Sequence, residues 1–281
     1  MGLQLNTVIP WGRNFNEYMR MFDLTSDDLK QSILDCAAGP ASFNIEMTKQ
    51  GYSVISCDPI YQFSADEISQ RIQDTYTTVI DGVKANYKDY VWDHISSPEQ
   101  LGEIRMAAME QFLADFPIGK QQGRYLTAEL PQLPFNSHQF NLALCSHFLF
   151  TYSDHFSENF HLNAILELCR VAQKVRIFPL LKVSGEPSPF LQPIIQELET
   201  RDYLIEIKTV NYIALRITVR TFMNSQTLSL LTVPCSLFPV PLRVALYLIF
   251  CKNGCNVSPS PSPVRCCHNC FLSVEGSREI Y

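Results

Sequence analysis

The sequence predicts an α/β fold in which helices cover both faces of a mainly parallel sheet. Segments of strand periodicity alternate with segments of helical periodicity from residue 33 to residue 210. This alternation is typical of parallel sheets, because each helix returns the chain to the start of the next strand. The chain has 281 residues, 46% of them hydrophobic, which is enough apolar surface for a large core.

The individual elements follow from apolar periodicity and from the residues that end each segment. Strands are expected near residues 33–35, 52–58, 124–128, 140–146, 174–180 and 203–210. Helices are expected near residues 14–22, 43–47, 158–171 and 189–200. Two long, charged helical segments, residues 64–90 and 98–116, form a predicted insertion after the second strand.

The composition changes sharply after Tyr212. The first 210 residues carry 26 acidic and 16 basic side chains, whereas residues 211–281 carry 2 and 6. Residues 258–263 alternate Ser and Pro, a low-complexity run that does not form a packed element. We therefore predict one domain over residues 1–212 and a divergent, poorly ordered C-terminal tail over residues 213–281. A reading-frame or splicing error in the source sequence is a second explanation of the change.

The charge of the chain bears on its possible partners, and its cysteine content bears on its cellular compartment. An acidic main body would repel a nucleic-acid backbone, so no nucleic-acid partner is expected. No charged segment followed by an apolar one opens the chain, and the dispersed cysteines of the first 210 residues are typical of buried thiols. The expected compartment is the cytoplasm.

Two features of the tail raise the possibility of a membrane span and of a metal site. Residues 228–250 have the length of a bilayer span, but the three prolines within them would break a spanning helix, so no membrane association is expected. The tail also holds six cysteines and His268. Only Cys267 and Cys270 show the paired spacing of a zinc site, so no metal site is predicted.

The loop after the first strand carries the most functional information. In an open parallel sheet the first strand–helix turn borders the ligand. A dinucleotide site would require three glycines there, but this loop has only Gly39, followed by Pro40. Asp35 and the small residues Ala37 and Gly39 suit a ligand that carries an ammonium and a carboxylate, such as the amino-acid end of methionine. The alternative is that small residues only let the helix pack on the strand.

A second acid lies where the second strand ends. Asp58 follows the loop by about twenty residues, the separation at which an acid accepts hydrogen bonds from ribose hydroxyls in related sheets. The alternative is a turn aspartate before Pro59.

Four segments resemble motifs of the class I S-adenosylmethionine-dependent methyltransferases, which have a Rossmann-like sheet. Residues 33–43, ILDCAAGPASF, resemble the family's first motif. Residues 129–135 and 140–147, ELPQLPF and FNLALCSH, resemble its acid-loop and fourth-strand motifs, and residues 176–180, RIFPL, resemble the fifth strand of a bacterial-type subgroup. The resemblance covers about residues 8–212.

The resemblance implies S-adenosylmethionine as the cofactor and assigns residues to it. The implied cofactor-binding residues are Asp35, Ala37, Gly39, Asp58, Glu129, Leu130 and Ser146. The loop after the first strand would line the methionine moiety, Asp58 the ribose, and the acid loop the adenine. Ser146 and His147 would flank the methyl group. The family pairs an antiparallel seventh strand with the sixth; no clear equivalent follows Tyr212, and residues 213–220 are the expected substitute.

Methyl transfer from a sulfonium requires mainly that donor and acceptor be positioned and water excluded. A hydroxyl or amine acceptor also needs a base, and His147 is the predicted catalytic residue. His155 and His161 are weaker candidates, and lone histidines are commonly structural. Three aromatic residues, Tyr18, Phe148 and Tyr152, are candidates for the pocket wall, or else for the core.

The predicted function is therefore methyl transfer from S-adenosylmethionine to an unidentified small-molecule acceptor. A first alternative is a scaffold that binds the cofactor but is catalytically impaired by its altered C-terminal end. A second alternative is an NAD(P)-dependent oxidoreductase, which the glycine-poor loop argues against.

Overall fold

The computed structural model describes residues 8–90, 92, 95–210, 212 and 245–252. Its centre is a seven-stranded sheet of order β3-β2-β1-β4-β5-β7-β6. The strands are β1 (Ile33–Cys36), β2 (Val54–Cys57), β3 (Tyr125–Leu126), β4 (Phe140–Ser146), β5 (Ala172–Phe178), β6 (Tyr203–Val210) and β7 (Ala245–Lys252). The pairs among β1 to β5 are parallel, and β7 is antiparallel to both of its neighbours. The predicted mainly parallel, Rossmann-like sheet is confirmed.

Seven α-helices surround this sheet in the described part of the chain. They are α1 (Phe15–Met21), α2 (Ser26–Leu29), α3 (Phe43–Lys49), α4 (Ala65–Ala85), α5 (Pro98–Gln121), α6 (Glu158–Val171) and α7 (Leu191–Thr200). The four-residue helix α2 was not predicted, because it is too short to show periodicity. The expected end of α5 at residue 116 was wrong: the helix continues through Pro117, and its last turn packs closely on Tyr125 at Gly119.

The seventh strand corrects the expectation that no clear equivalent follows Tyr212. β7 pairs with four residues of β5 and with all eight of β6. It contains the last six residues of the apolar stretch 228–250, which are therefore extended rather than helical. The proposed substitute, residues 213–220, lies outside the described residues, as does the rest of the tail. Residues 245–252 therefore belong to the sheet and not to a separate tail. The rest of the predicted domain division at residue 212 stays a prediction.

Helices cover both faces of the sheet, as predicted. One apolar cluster joins Leu34 and Ala143 of the sheet to helices α6 and α7 through residues such as Leu168 and Leu198. The other cluster joins the alternate strand residues, such as Leu142, to α1 and α3. Because neighbouring residues of β1 and β4 point to opposite faces, each strand contributes to both clusters.

The insertion α4–α5 packs against the loop that follows β1. Tyr61, Phe112, Phe116 and Tyr125 form an aromatic group with ring centroids 5.1 to 5.7 Å apart. Ala38 of the loop belongs to the same buried cluster. The insertion therefore supports the loop as well as adding a layer to the domain.

Within the described ranges, no helix is both long and apolar enough to cross a bilayer. The same ranges contain no group of three or more His, Cys, Asp or Glu side chains placed to hold a metal ion. The tail cysteines beyond residue 252 lie outside those ranges.

Candidate cofactor and methyl-transfer site

The order of the strands reverses between β1 and β4, so the carboxyl ends of these two strands border a crevice. The loop after β1 turns sharply there. Ala37 and Gly39 both have left-handed backbones, with φ of 54° and 55°. The left-handed region is strained for alanine, by about 1 kcal/mol, and is unstrained for glycine, which explains why small residues occupy the turn.

Asp58 ties this loop to the end of β2. One carboxylate oxygen accepts a hydrogen bond from Gly39 N at 2.9 Å, and the other accepts one from Ile60 N at 2.9 Å. The second bond caps a short 3₁₀ helix, so the turn interpretation of Asp58 is also correct. Each oxygen still has a lone pair for a further donor. Burial raises the pKa of Asp58 to about 6, although both backbone hydrogen bonds oppose that shift.

Three backbone amides of the loop are engaged by the protein itself. Ala38 N donates to Cys57 O at 3.3 Å, Gly39 N donates to Asp58, and Ser42 N donates to Arg13 O at 3.0 Å. Pro40 has no N–H to offer. A diphosphate would need such amides, and it would also meet the negative charge of Asp58. The single glycine of the loop and the carboxylate of Asp58 beside it therefore disfavour a dinucleotide.

Asp35 lies beneath the loop and is only 1% exposed. It accepts hydrogen bonds from Tyr18 Oη at 3.1 Å and from Ser56 Oγ at 3.3 Å. Burial raises the pKa of Asp35 to about 7 against these hydrogen bonds, and the charge of Asp58 adds to the rise. In this structure Asp35 joins α1 to β1 and β2, while its direct contact with a methionine moiety stays a prediction.

The predicted adenine side is formed by the loop after β3. Leu126 O accepts a hydrogen bond from Asp58 N at 3.3 Å, which places the start of this loop beside the ribose candidate. Leu130 is buried and Glu129 is exposed, and Glu129 O accepts from Gln132 N in a tight turn. A buried leucine suits the face of an aromatic base; both assignments stay predictions.

Ser146 and His147 lie together at the end of β4. His147 Nδ1 is 2.8 Å from Ser146 Oγ, and His147 N donates to Phe178 O at 2.6 Å. The backbone of His147 is left-handed, with φ of 52°, which turns the chain out of the sheet. Burial, with the positive charges of Arg13 and Arg105, holds the pKa of His147 well below its usual value of 6.5. His147 is therefore neutral at pH 7.

The other predicted bases and wall residues have different environments. His161 is 0% exposed, and its Nδ1 lies 2.8 Å from Ser157 O within a group of phenylalanines, which favours a structural role for His161. His155 is exposed on a turn. Tyr18 stacks on Phe43 at 4.3 Å and is 1% exposed, which makes it a core residue.

A buried polar group whose arginine lowers the pKa of His147 was not predicted from the sequence. Glu17 of α1 forms an ion pair with Arg105 of α5 and accepts a hydrogen bond from Tyr212 Oη at 2.6 Å. Arg105 Nη2 also donates to Tyr212 Oη at 3.4 Å. Arg105 lies on the apolar side of α5, so a charged residue within an apolar helix face was the available signal.

The chain has a sequence relative over most of its length. It is 33% identical over 200 residues to the uncharacterized protein MJ0045 of Methanocaldococcus jannaschii, a match that spans 71% of this chain and 90% of the relative. The chain belongs to the MJ0045 family. No protein-family model matches it.

Solved structures similar to this member of the MJ0045 family include several S-adenosylmethionine-dependent methyltransferases. A TehB-like methyltransferase from Corynebacterium glutamicum is 11% identical, with 85% of this chain and 88% of the other covered and a TM-score of 0.39. The magnesium protoporphyrin IX methyltransferase of Synechocystis, solved with bound S-adenosylmethionine, is 12% identical, with 78% and 69% covered and a TM-score of 0.35. Because both TM-scores are below 0.5, these similarities carry no functional argument, and any argument about function depends on the site itself. The bacterial-type subgroup stays a prediction.

Proposed function

We propose that this MJ0045-family protein transfers a methyl group from S-adenosylmethionine to a small-molecule acceptor in the cytoplasm. The observation that carries the proposal is the loop after β1, where the carboxylate of Asp58 accepts the Gly39 N–H and lies at the turn that a diphosphate would have to approach. An adenosyl donor without phosphates fits this loop better than a dinucleotide does. The four cysteines described outside β7 are free thiols, which suits a reducing compartment.

The residues fit such a donor in chemistry and position. Asp58 keeps acceptor capacity for the ribose hydroxyls, Gly39 and Ala37 leave room for the methionine end, and Leu130 offers an apolar surface to the adenine. When bound, the donor supplies a methyl group on an activated sulfonium leaving group. The protein has to hold the acceptor in line with that group and exclude water.

His147 is the proposed base for a hydroxyl or amine acceptor. Because its ring is neutral at pH 7, it can accept a proton without first losing one. In the tautomer that this role requires, Nδ1–H donates to Ser146 Oγ at 2.8 Å, which leaves Nε2 unprotonated for the acceptor. Its lowered pKa makes it a weak base, so it would take a proton only as the acceptor is methylated.

Two alternative functions predict different results in assays of ligand binding and methyl transfer. A catalytically impaired scaffold would bind the donor without transferring its methyl group. An NAD(P)-dependent oxidoreductase would bind NAD instead.

The proposal is tested by incubating the full chain with methyl-labelled S-adenosylmethionine and a metabolite extract. We expect label to appear in the small-molecule fraction and to be lost when Asp58 is replaced by alanine. Donor binding without label transfer from several extracts would favour the scaffold. NAD binding without donor binding would overturn the proposal.

A further inference from the structure

Two arginines, Arg13 and Arg105, lie close enough to His147 for their charges to act on it, and of the two only Arg105 has an ionic partner among the described residues. Arg105 is 1% exposed and pairs with Glu17. Arg13 lies in the segment before α1, where its carbonyl accepts the Ser42 N–H of the loop. Its Nη1 donates to Trp11 O at 3.1 Å, a neutral partner. Among the described residues Arg13 forms no ion pair.

The unsatisfied donors of this pair are buried. Arg13 Nε and Arg105 Nε both lack a hydrogen-bond partner in the described structure and are shielded from solvent. Arg13 Nη2 likewise has no acceptor among the described residues. Arg13 is partly buried, and partial burial of a guanidinium without an anion is unfavourable, because the desolvation of its charge is not offset by pairing. The arrangement is therefore incomplete until an anion is present.

The positive charge extends to the methyl-transfer residues. The charged groups that act on His147 are Arg13 and Arg105, and both lower its pKa. Glu17 is engaged by Arg105 and Tyr212, while Tyr18, Tyr152 and Tyr212 are neutral because burial raises the pKa of each phenol. The groups facing His147 thus leave a net positive charge on the acceptor side.

The proposed donor adds to this imbalance. Its ammonium and carboxylate cancel, so its sulfonium makes it a monocation at neutral pH. The carboxylates of Glu17 and Asp58, and in part that of Asp35, oppose these positive charges. None of them forms an ion pair with Arg13 in the described part of the chain, so an acceptor with negative charge would be attracted to Arg13. The same field would stabilise an anionic nucleophile.

We propose, on the basis of the proposed methyl transfer, that the acceptor is a carboxylate-bearing small molecule and that the Arg13 guanidinium binds its carboxylate. Arg105 supports this contact through charge while it remains paired with Glu17. Arg13 is then the residue that selects anionic acceptors over neutral ones, since charge-assisted, bidentate bonds to guanidinium are favoured by carboxylates.

The alternative source of a carboxylate is the methionine end of the donor itself. Arg13 is close enough to the β1 loop for its carbonyl to bond to Ser42 N, so the two sources need separate experiments. 5′-Methylthioadenosine lacks the amino-acid part of S-adenosylhomocysteine and therefore separates them.

The experiment measures binding of benzoate and hexanoate to the full chain saturated with S-adenosylhomocysteine, each against its neutral amide at constant ionic strength. We expect the carboxylates, and not the amides, to bind the wild-type protein. Arg13→Gln should weaken carboxylate binding about tenfold or more, and Arg13→Lys, which keeps the charge, should retain part of it. Arg201→Gln removes an exposed arginine paired with Glu197 and should leave binding unchanged.

Several results would overturn the proposal. These are equal binding of carboxylates and amides, binding of neither, or an unchanged preference in Arg13→Gln. A loss of S-adenosylhomocysteine affinity in Arg13→Gln with unchanged affinity for 5′-methylthioadenosine would assign Arg13 to the donor instead. If the wild-type protein bound no S-adenosylhomocysteine, the proposed function would fail, while the carboxylate and amide comparison without it would still test Arg13. If Arg13→Gln did not fold, the comparison would rest on Arg13→Lys.

Discussion

Asp58 gives the site a dependence on pH. Ribose hydroxyls donate to the ionised carboxylate, so ligand binding should lower the pKa of Asp58 from about 6. Affinity for S-adenosylhomocysteine should therefore rise as pH increases from about 5 to about 7 and then level off. Titration calorimetry across this range measures the slope, and Asp58→Asn should remove its part near pH 6. Asp35, with a pKa of about 7, accounts for any slope that persists. Equal slopes for both proteins would contradict the role of Asp58.

His147 provides a second test at the scale of a single residue. His147→Gln keeps a polar side chain but removes the base, and we expect kcat to fall about 100-fold for a hydroxyl or amine acceptor. Affinity for S-adenosylhomocysteine should change little. Fixed-time assays with the labelled donor measure the rate of methyl transfer. His155→Gln is the matched control, because His155 is exposed. An acceptor that is itself an anionic nucleophile needs no base; with a hydroxyl or amine acceptor, an unchanged rate would remove His147 from the mechanism.

Individual site residues differed in how well the sequence predicted them. The sequence could indicate Asp58 as a candidate because the pattern is local. It consists of an acid at a strand end, at a fixed distance after a loop of small residues. The pairing of Glu17 with Arg105 was not, since these residues are 88 positions apart and meet only when α1 packs on α5. Asp35 lies near the end of β1, as the pattern predicts, and its role in the site stays a prediction. Its burial under Tyr18 and Ser56 depends on tertiary packing.

Helix α2 shows how an element missed by the sequence fixes the N-terminal segment to the sheet. Asp28 forms a buried ion pair with Arg176 of β5 at 3.1 Å, and its neighbour Asp27 forms an exposed one with Lys30. Asp28→Asn should lower the free energy of unfolding by roughly 3 kcal/mol, because it removes one charge of a buried ion pair. Asp27→Asn should change it by under about 1 kcal/mol. Chemical denaturation at pH 7 measures both.

The pH dependence of that pair has a definite sign. The pKa of Asp28 lies below its usual value, since backbone and side-chain bonds from Thr25 and the charge of Arg176 outweigh burial. Its stabilisation is present above about pH 4 and is lost as the pH falls through the folded-state pKa. Equal losses in Asp28→Asn and Asp27→Asn would show that α2 does not anchor the segment.

At the scale of the whole molecule, β7 joins β5 to β6. A chain that ends at residue 212 would leave β5 with one partner strand and β6 with none. We expect such a chain to be unfolded or aggregated, whereas a chain that ends at residue 252 should melt cooperatively. Circular dichroism and size-exclusion chromatography separate the two cases. A stable, S-adenosylhomocysteine-binding chain ending at residue 212 would contradict this account of the sheet.

The global fold was more predictable than its closing strand. Helices separate most of the successive strands from β1 to β6, so local periodicity was enough to place these strands. β7 enters the sheet from 35 residues beyond β6, in a segment whose composition differs from the rest of the domain, and its antiparallel pairing is a long-range contact. Periodicity carries no information about such pairing.

The central claim is that the crevice beside Asp58 binds an adenosyl methyl donor. The most direct test is titration calorimetry of the full chain with S-adenosylhomocysteine and with NAD, for wild type and Asp58→Ala. The account predicts binding of S-adenosylhomocysteine to the wild-type protein, weakened by about 2 kcal/mol or more in the variant by loss of charged hydrogen bonds, and no binding of NAD. The absence of S-adenosylhomocysteine binding by a folded protein, or an equal affinity in Asp58→Ala, would contradict it.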